Sequence, residues 1–237
     1  MIAEREAAKL RRTETRAAIL DGFKRIKTGT VEAIQNTAAA LSELTLKEDE
    51  LSETAQDDAV EILKSYTTQL STTFQISADD REETATTLVE VLGNMMHAAG
   101  HMSEVAETKS TALYNEFYDT LSTTQAPLST TTLTPAQYQA QQDELARQKE
   151  KGKEIFLNVE SQTNNLIKSI SSYKVVGESD AVLESKKLNI TLRKRMTIEM
   201  NDNPYVSVGG FSSVLMPKSQ SIFGDTGNET TWFVATE

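Results

Sequence analysis

Near residue 172 the chain changes vocabulary. Up to that point prolines occur only at Pro127 and Pro135, and the sequence is built largely from Ala, Leu, Glu, Gln and Lys. These residues are among the cheapest to hold in a helix. Beyond it come Gly177, Pro204, Gly209, Gly210, Pro217, Gly224 and Gly227, set among short alternating runs of Val, Ile, Thr, Phe and Tyr. The apolar period shifts from that of a helix face to that of a strand face. The expectation is a mainly α protein with a small β part: a helical bundle subdomain over residues 1–172, then a partial antiparallel β subdomain over residues 173–237.

Within the helical part, Leu10, Ile19, Leu20, Phe23 and Ile26 trace a first amphipathic stripe, and Val31, Ile34, Ala38, Leu41 and Leu44 trace a second. The short break Thr28-Gly29-Thr30 between them predicts a helical hairpin. Ser52 is a good N-cap for a third helix carrying Ala55, Ala59, Ile62, Leu63, Tyr66 and Leu70. Ser77-Ala78-Asp79-Asp80 repeats that signal ahead of Leu88, Val91, Leu92, Met95 and Met96. Gly100 weakens helix propensity, so Ala106, Leu113, Phe117 and Leu121 are read as a separate fifth helix. After a Thr-rich loop, Thr134-Pro135 opens a long helix. Its polar first half, from Gln137 to Glu150, leaves only the second half able to dock fully.

In the last third, Leu188, Ile190 and Leu192 alternate with polar residues, and Met196, Ile198 and Met200 keep the same parity. Tyr205 to Val208, Phe211 to Pro217 and Trp232 to Ala235 supply further strands. A chain that ends within such an apolar strand is expected to be a piece whose sheet is completed elsewhere, because an open edge invites pairing.

With 35 acidic against 24 basic side chains the net charge is −11. That disfavours nucleic acid, whose affinity comes mostly from cations displacing counterions. No run reaches the ~18 apolar residues of a transmembrane helix, and the first residues lack the apolar stretch of a secretory signal. The absence of cysteine removes disulfides, thiolate catalysis and cysteine-ligated metal sites. The first 27 residues are net basic and the stretch from Glu43 to Glu90 is acidic, a pattern that predicts attraction between neighbouring segments.

Candidate chemistry is sparse. His97 and His101 lie four apart on a helix with Glu104 three further on, a spacing that can align metal ligands, and Met95, Met96 and Met102 stand nearby. No glutamate between the histidines supplies the general base of a zincin motif. The plainer reading is a methionine-filled helix face with two histidines at its edge. Glu48-Asp49-Glu50, Asp57-Asp58 and Asp79-Asp80 lack EF-hand spacing and are read as solvated capping residues. Asn189 and Asn228 begin glycosylation sequons, of a kind expected by chance in a chain rich in Ser and Thr. No catalytic residue and no cofactor are assigned.

Several stretches in fixed order carry a family resemblance. Ala40-Leu41-Ser42-Glu43-Leu44-Thr45, then Asp49 to Gln56, Ala59-Val60-Glu61-Ile62-Leu63 and Thr87 to Met96 resemble the helical part of the receptor-for-egg-jelly module of polycystins and sperm receptors. Val175-Val176-Gly177-Glu178, the Leu188 to Leu192 strand and Gly209 to Pro217 resemble the start of that family's β subdomain, in the manner of a GAIN domain. The resemblance implies a non-enzymatic, membrane-proximal module on the extracellular side of the plasma or ciliary membrane. Its partners would be the rest of the receptor chain or a membrane channel subunit, with coupling to a cation channel. The family's cleavage motif is absent, and Trp232 has no cysteines around it, so no catalytic residue carries over. Two other readings compete: an acidic helical scaffold, cytoplasmic or bacterial, and a metal enzyme built on the two histidines.

Overall fold

The computed structural model describes residues 2–26, 30–72, 76–122, 133–196, 205–208, 212–215 and 229–236. Five helices come first: α1 (Ile2–Lys24), α2 (Val31–Thr45), α3 (Glu53–Thr72), α4 (Ala78–Ser122) and α5 (Pro135–Tyr173), with a 3-10 turn at Glu48–Glu50. Five strands follow: β1 (Ala181–Glu184), β2 (Asn189–Met196), β3 (Tyr205–Val208), β4 (Ser212–Leu215) and β5 (Glu229–Thr236). The fold is mainly α with a small antiparallel β part.

Helix starts follow local chemistry. The hydroxyls of Thr30, Ser52, Ser77 and Thr134 accept from the backbone amides of Ala33, Ala55, Asp80 and Gln137, satisfying donors that a helix's first turn leaves open. Thr134 and Gln137 complete a reciprocal capping box ahead of Pro135.

Packing departs from chain order. α1 lies mainly against α3 and α2 against α4, while α1 and α2 share little surface, so the hairpin expected from the break at residues 28–30 does not form. Of the α1 stripe, Leu20 is fully buried and Phe23 packs on the core, but Leu10, Ile19 and Ile26 are exposed. Charge takes over where burial stops. Lys9 pairs with Asp49 at 2.9 Å, and Arg12 and Arg16 reach the buried Glu50 at 2.6 and 3.2 Å. Arg16 also donates to the Leu44 carbonyl at the end of α2 at 2.7 Å, and Lys24 bridges Asp58 and Glu61, both at 2.8 Å. The basic start therefore does bind the acidic stretch. The 3-10 turn is not a set of solvated caps, since Glu50 is a buried acceptor for two guanidiniums.

The two helices expected on either side of Gly100 are one helix of 45 residues, about 65–70 Å long. The cost of a helical glycine, about 1 kcal/mol relative to Ala, is outweighed by burial of Ala98, Ala99 and Ala106 around it. α5 runs antiparallel to α4, with Gly152 against Ala99, Lys149 near Ser103, Gln142 against Ser110 and Tyr138 stacked on Phe117 at 4.2 Å between ring centres. The buried residues of α5 begin at Gly152, so its polar first half forms an arm with α4 rather than part of the core. At the other end Arg81 is buried, donating to the Leu70 carbonyl at 2.5 Å while its guanidinium lies 3.4 Å from the centre of the Tyr173 ring. One side chain thus joins the end of α3, the start of α4 and the end of α5.

β1, β2 and β5 form an antiparallel sheet in that order, with Leu183 opposite Ile190 and Leu192 opposite Phe233; β3 pairs with β4 separately. β1 was not legible as a strand in the sequence. Ala181, Leu183, Leu188, Ile190 and Leu192 belong to the same buried cluster as the helices, so one core crosses from the bundle into the sheet. On the basic side of β2, Arg193 grips Asp180 with contacts of 2.7–3.1 Å. The expected continuation through Ile198 and Met200 lies outside the described residues.

A Cβ on Gly152 would sit 2.8 Å from the Ala99 carbonyl and overlap the Ser103 hydroxyl, whereas one on Gly100 meets nothing within 4 Å. Gly152→Ala should therefore lose about 1–3 kcal/mol in urea unfolding through overpacking, and Gly100→Ala should gain about 0.5–1 kcal/mol. For Glu50, the Arg12 guanidinium first and then Arg16 hold the carboxyl below its usual range against the opposing effect of burial. A lowered folded value contributes stability above the unfolded value of about 4.3 and loses it as pH falls through the folded one. Glu50→Gln should cost about 1–3 kcal/mol at pH 7, and the gap from the parent protein should close in melts taken down to about pH 3.

Candidate functional site

A groove of about 520 Å³ runs along α4, between Phe156 of α5 and the turn joining β1 to β2. Its α4 wall is Gly93, Met96, His97, Gly100, His101 and Glu104, residues that recur every three or four positions on one helix face. Its far wall is set by the α4–α5 crossing. Gly152 brings the two backbones together, and Phe156, one turn further along α5, stands opposite Met96 and Gly100.

The end wall comes from the turn at residues 185–188. The Ser185 hydroxyl accepts from Leu188 and Lys187 amides at 2.9 and 3.3 Å and donates to the Leu188 carbonyl at 2.7 Å, fixing the turn that presents Lys186 and Lys187. This turn lies directly on α4 at Gly93, where an added Cβ would come within 3.1 Å of both Lys187 and Leu188 Cβ atoms. Glu48 ties the corner: one carboxylate oxygen lies 2.8 Å from His97 Nδ1 and 3.2 Å from Lys187 Nζ. The 3-10 turn, α4 and the β hairpin are thereby joined through a single acceptor.

His97, His101 and Glu104 do share one side of α4, as their spacing implies, and all three line the groove. Glu48 holds the Nδ1 side of the His97 ring at 2.8 Å. Among the described residues no three or more His, Asp and Glu side chains gather closely enough to hold a metal ion. Met95 is buried in the core, while Met96 faces the groove. Asn189 sits at the start of the central strand, its side-chain oxygen accepting from the Ser185 amide at 3.1 Å, and Asn228 lies outside the described residues. Sequence reasoning did not single out Lys186, Lys187 and Glu48 as groove residues. The only available signal was an adjacent pair of lysines in an acidic chain.

A second groove, of about 490 Å³, lies between α4 and α5 on the projecting arm, lined by Leu113, Leu145, Ala112 and Ala140 with Lys109, Glu116 and Glu144 at its rim. Arg147 and then Gln148 hold the Glu144 carboxyl down at about 2. Arg147 also reaches back to Glu53 at the start of α3, bracing the arm on the bundle with two contacts of 2.9 Å. No helix among the described residues is long and apolar enough to cross a membrane. No protein-family model, curated protein or solved structure matches this chain.

The contact at Gly93 is testable. Gly93→Val should lift the β hairpin from α4, giving faster amide hydrogen exchange over residues 181–192 while α2 and α3 keep their protection. Equal loss of protection throughout the helices would show that the contact is not local.

Proposed function

We propose that this chain is a non-catalytic, membrane-proximal extracellular module of a larger receptor of the receptor-for-egg-jelly and polycystin type. The motif order in the sequence suggests the family, and the observation that carries the reading is the hydrophobic core shared by α4, α5 and the β1–β2 hairpin. A close-packed core transmits displacement, because its side chains cannot move far without repacking. Through Gly93, Glu48 and Lys187, movement imposed on the sheet is passed to a helix of 45 residues, and movement of the helices is passed to the sheet. That is the mechanical property required of a module placed between a ligand-binding ectodomain and a membrane-embedded channel portion. Its partners in this reading are the remainder of the same chain and an associated channel subunit, with strand addition at the β1 or β5 edge as one mode of joining.

An acidic helical scaffold inside the cell is the competing reading. It draws on the α4–α5 arm, whose Tyr114 is half exposed and whose α5 side has no buried residue before Gly152. The two are separated by surface biotinylation of intact cells that express the native gene, followed by detection with antibodies to this chain. The receptor reading expects a labelled species larger than the 237-residue chain that stays with membranes after an alkaline carbonate wash. Antigen found only in the cytosolic fraction and shielded from the label would overturn it.

A further inference from the structure

We propose that the groove along α4 is a binding site for a slender organic anion, a single carboxylate or sulfonate head on an apolar body. Its volume of about 520 Å³ lies within the range of roughly 300–1,000 Å³ typical of small-molecule sites. Its apolar lining is formed by Gly93, Met96, Gly100 and Phe156. From Gly93 to Glu104 the groove follows eleven residues of helix, about 16 Å. An extended chain of about ten carbons, with bonds near 1.5 Å, fits within that length.

Charge orients the ligand. At the Gly93 end stand Lys186 and Lys187, and at the other end stands Glu104. Lys187 and His97 are both engaged by Glu48, so that carboxylate is already balanced. Lys186, by contrast, is a cation at the mouth of the groove that forms no ion pair among the described residues. An anionic head therefore belongs at the lysine end. Glu104 repels a second anionic group at the far end, so a monoanion fits better than a dianion. His97 and His101 along the rim offer ring nitrogens to polar atoms on the ligand body.

Gly100 makes the groove open: a side chain there would project into free space rather than into protein. It also supplies a test that does not unfold the protein, because leucine is a better helix former than glycine at such a position. The probe is 8-anilinonaphthalene-1-sulfonate, a fluorescent apolar anion, titrated into the folded chain and then displaced with decanoate. The expected result is a saturable signal at about one probe per chain, with decanoate displacing it and decyltrimethylammonium, of equal chain length and opposite charge, failing to do so. Lys186→Glu should weaken probe and decanoate binding by about tenfold or more. Gly100→Leu should abolish both while melting at or above the parent temperature. Leu145→Ala, in the groove on the arm, should leave both unchanged. The proposal is overturned if the parent chain shows no saturable binding, if Gly100→Leu binds as well as the parent, or if the cationic amphiphile competes as well as decanoate.

Discussion

The molecule is organised by a close approach of two helices, where Gly152 of α5 meets Ala99 and Ser103 of α4. No other residue type fits that crossing without displacing a carbonyl. Its consequences spread in both directions along α5. Toward the C-terminal end, Val159, Leu166, Ile167 and Ile170 follow at helical spacing into the core, and Phe156 is set against α4 to wall the groove. Toward the N-terminal end, the same alignment lets Gln142 meet Ser110 and Tyr138 stack on Phe117, which keeps the arm paired well beyond the last buried residue. Arg81 then fixes the opposite end of the pair, stacking on Tyr173 and satisfying a terminal carbonyl of α3.

Polar groups inside the bundle hold specific neighbours rather than adding general stability. Asn94 donates to the Ser42 carbonyl and the Thr45 hydroxyl at 3.2 and 3.4 Å, fixing α4 against the end of α2. Thr67 donates to Gln162 at 3.1 Å and does the same for α3 and α5. Each is buried, and a buried polar group that lost its partner would carry a desolvation cost of about 1–3 kcal/mol. The cost of alternative pairings is thereby raised, and register between helices is set by a few residues that a hydrophobic pattern does not reveal.

What could be read from the sequence was what is local. Ser52, Ser77 and Thr134 cap helices because the cap depends on three or four neighbouring residues. The helix-to-strand change and β3, β4 and β5 were legible because period and composition both shift there. Gly100 was misread as a boundary because its local preference is overruled by partners more than forty residues away in α5. β1 escaped notice because four residues, Ala181-Val182-Leu183-Glu184, carry too little alternation to separate a strand from a loop. The site divided in the same way. His97, His101 and Glu104 could be placed on one helix face, but their relation to Glu48, Phe156 and Lys186 is tertiary and has no periodic signature.

The attachment of α1 has a further consequence. Among the residues of this helix whose burial is described only Leu20 is fully buried, Ala17 and Phe23 pack partly against the core, and charge supplies the further holds: Lys9 on Asp49, Arg12 and Arg16 on Glu50, Lys24 on Asp58 and Glu61. The more exposed of these pairs, such as Lys9–Asp49, weaken as dissolved salt shortens the reach of each charge, whereas the pairs on buried Glu50 and the apolar contacts of α2 to α5 are screened far less. The docking of α1 is therefore partly sensitive to ionic strength through its exposed pairs, while Leu20 and the buried Glu50 hold it to the bundle.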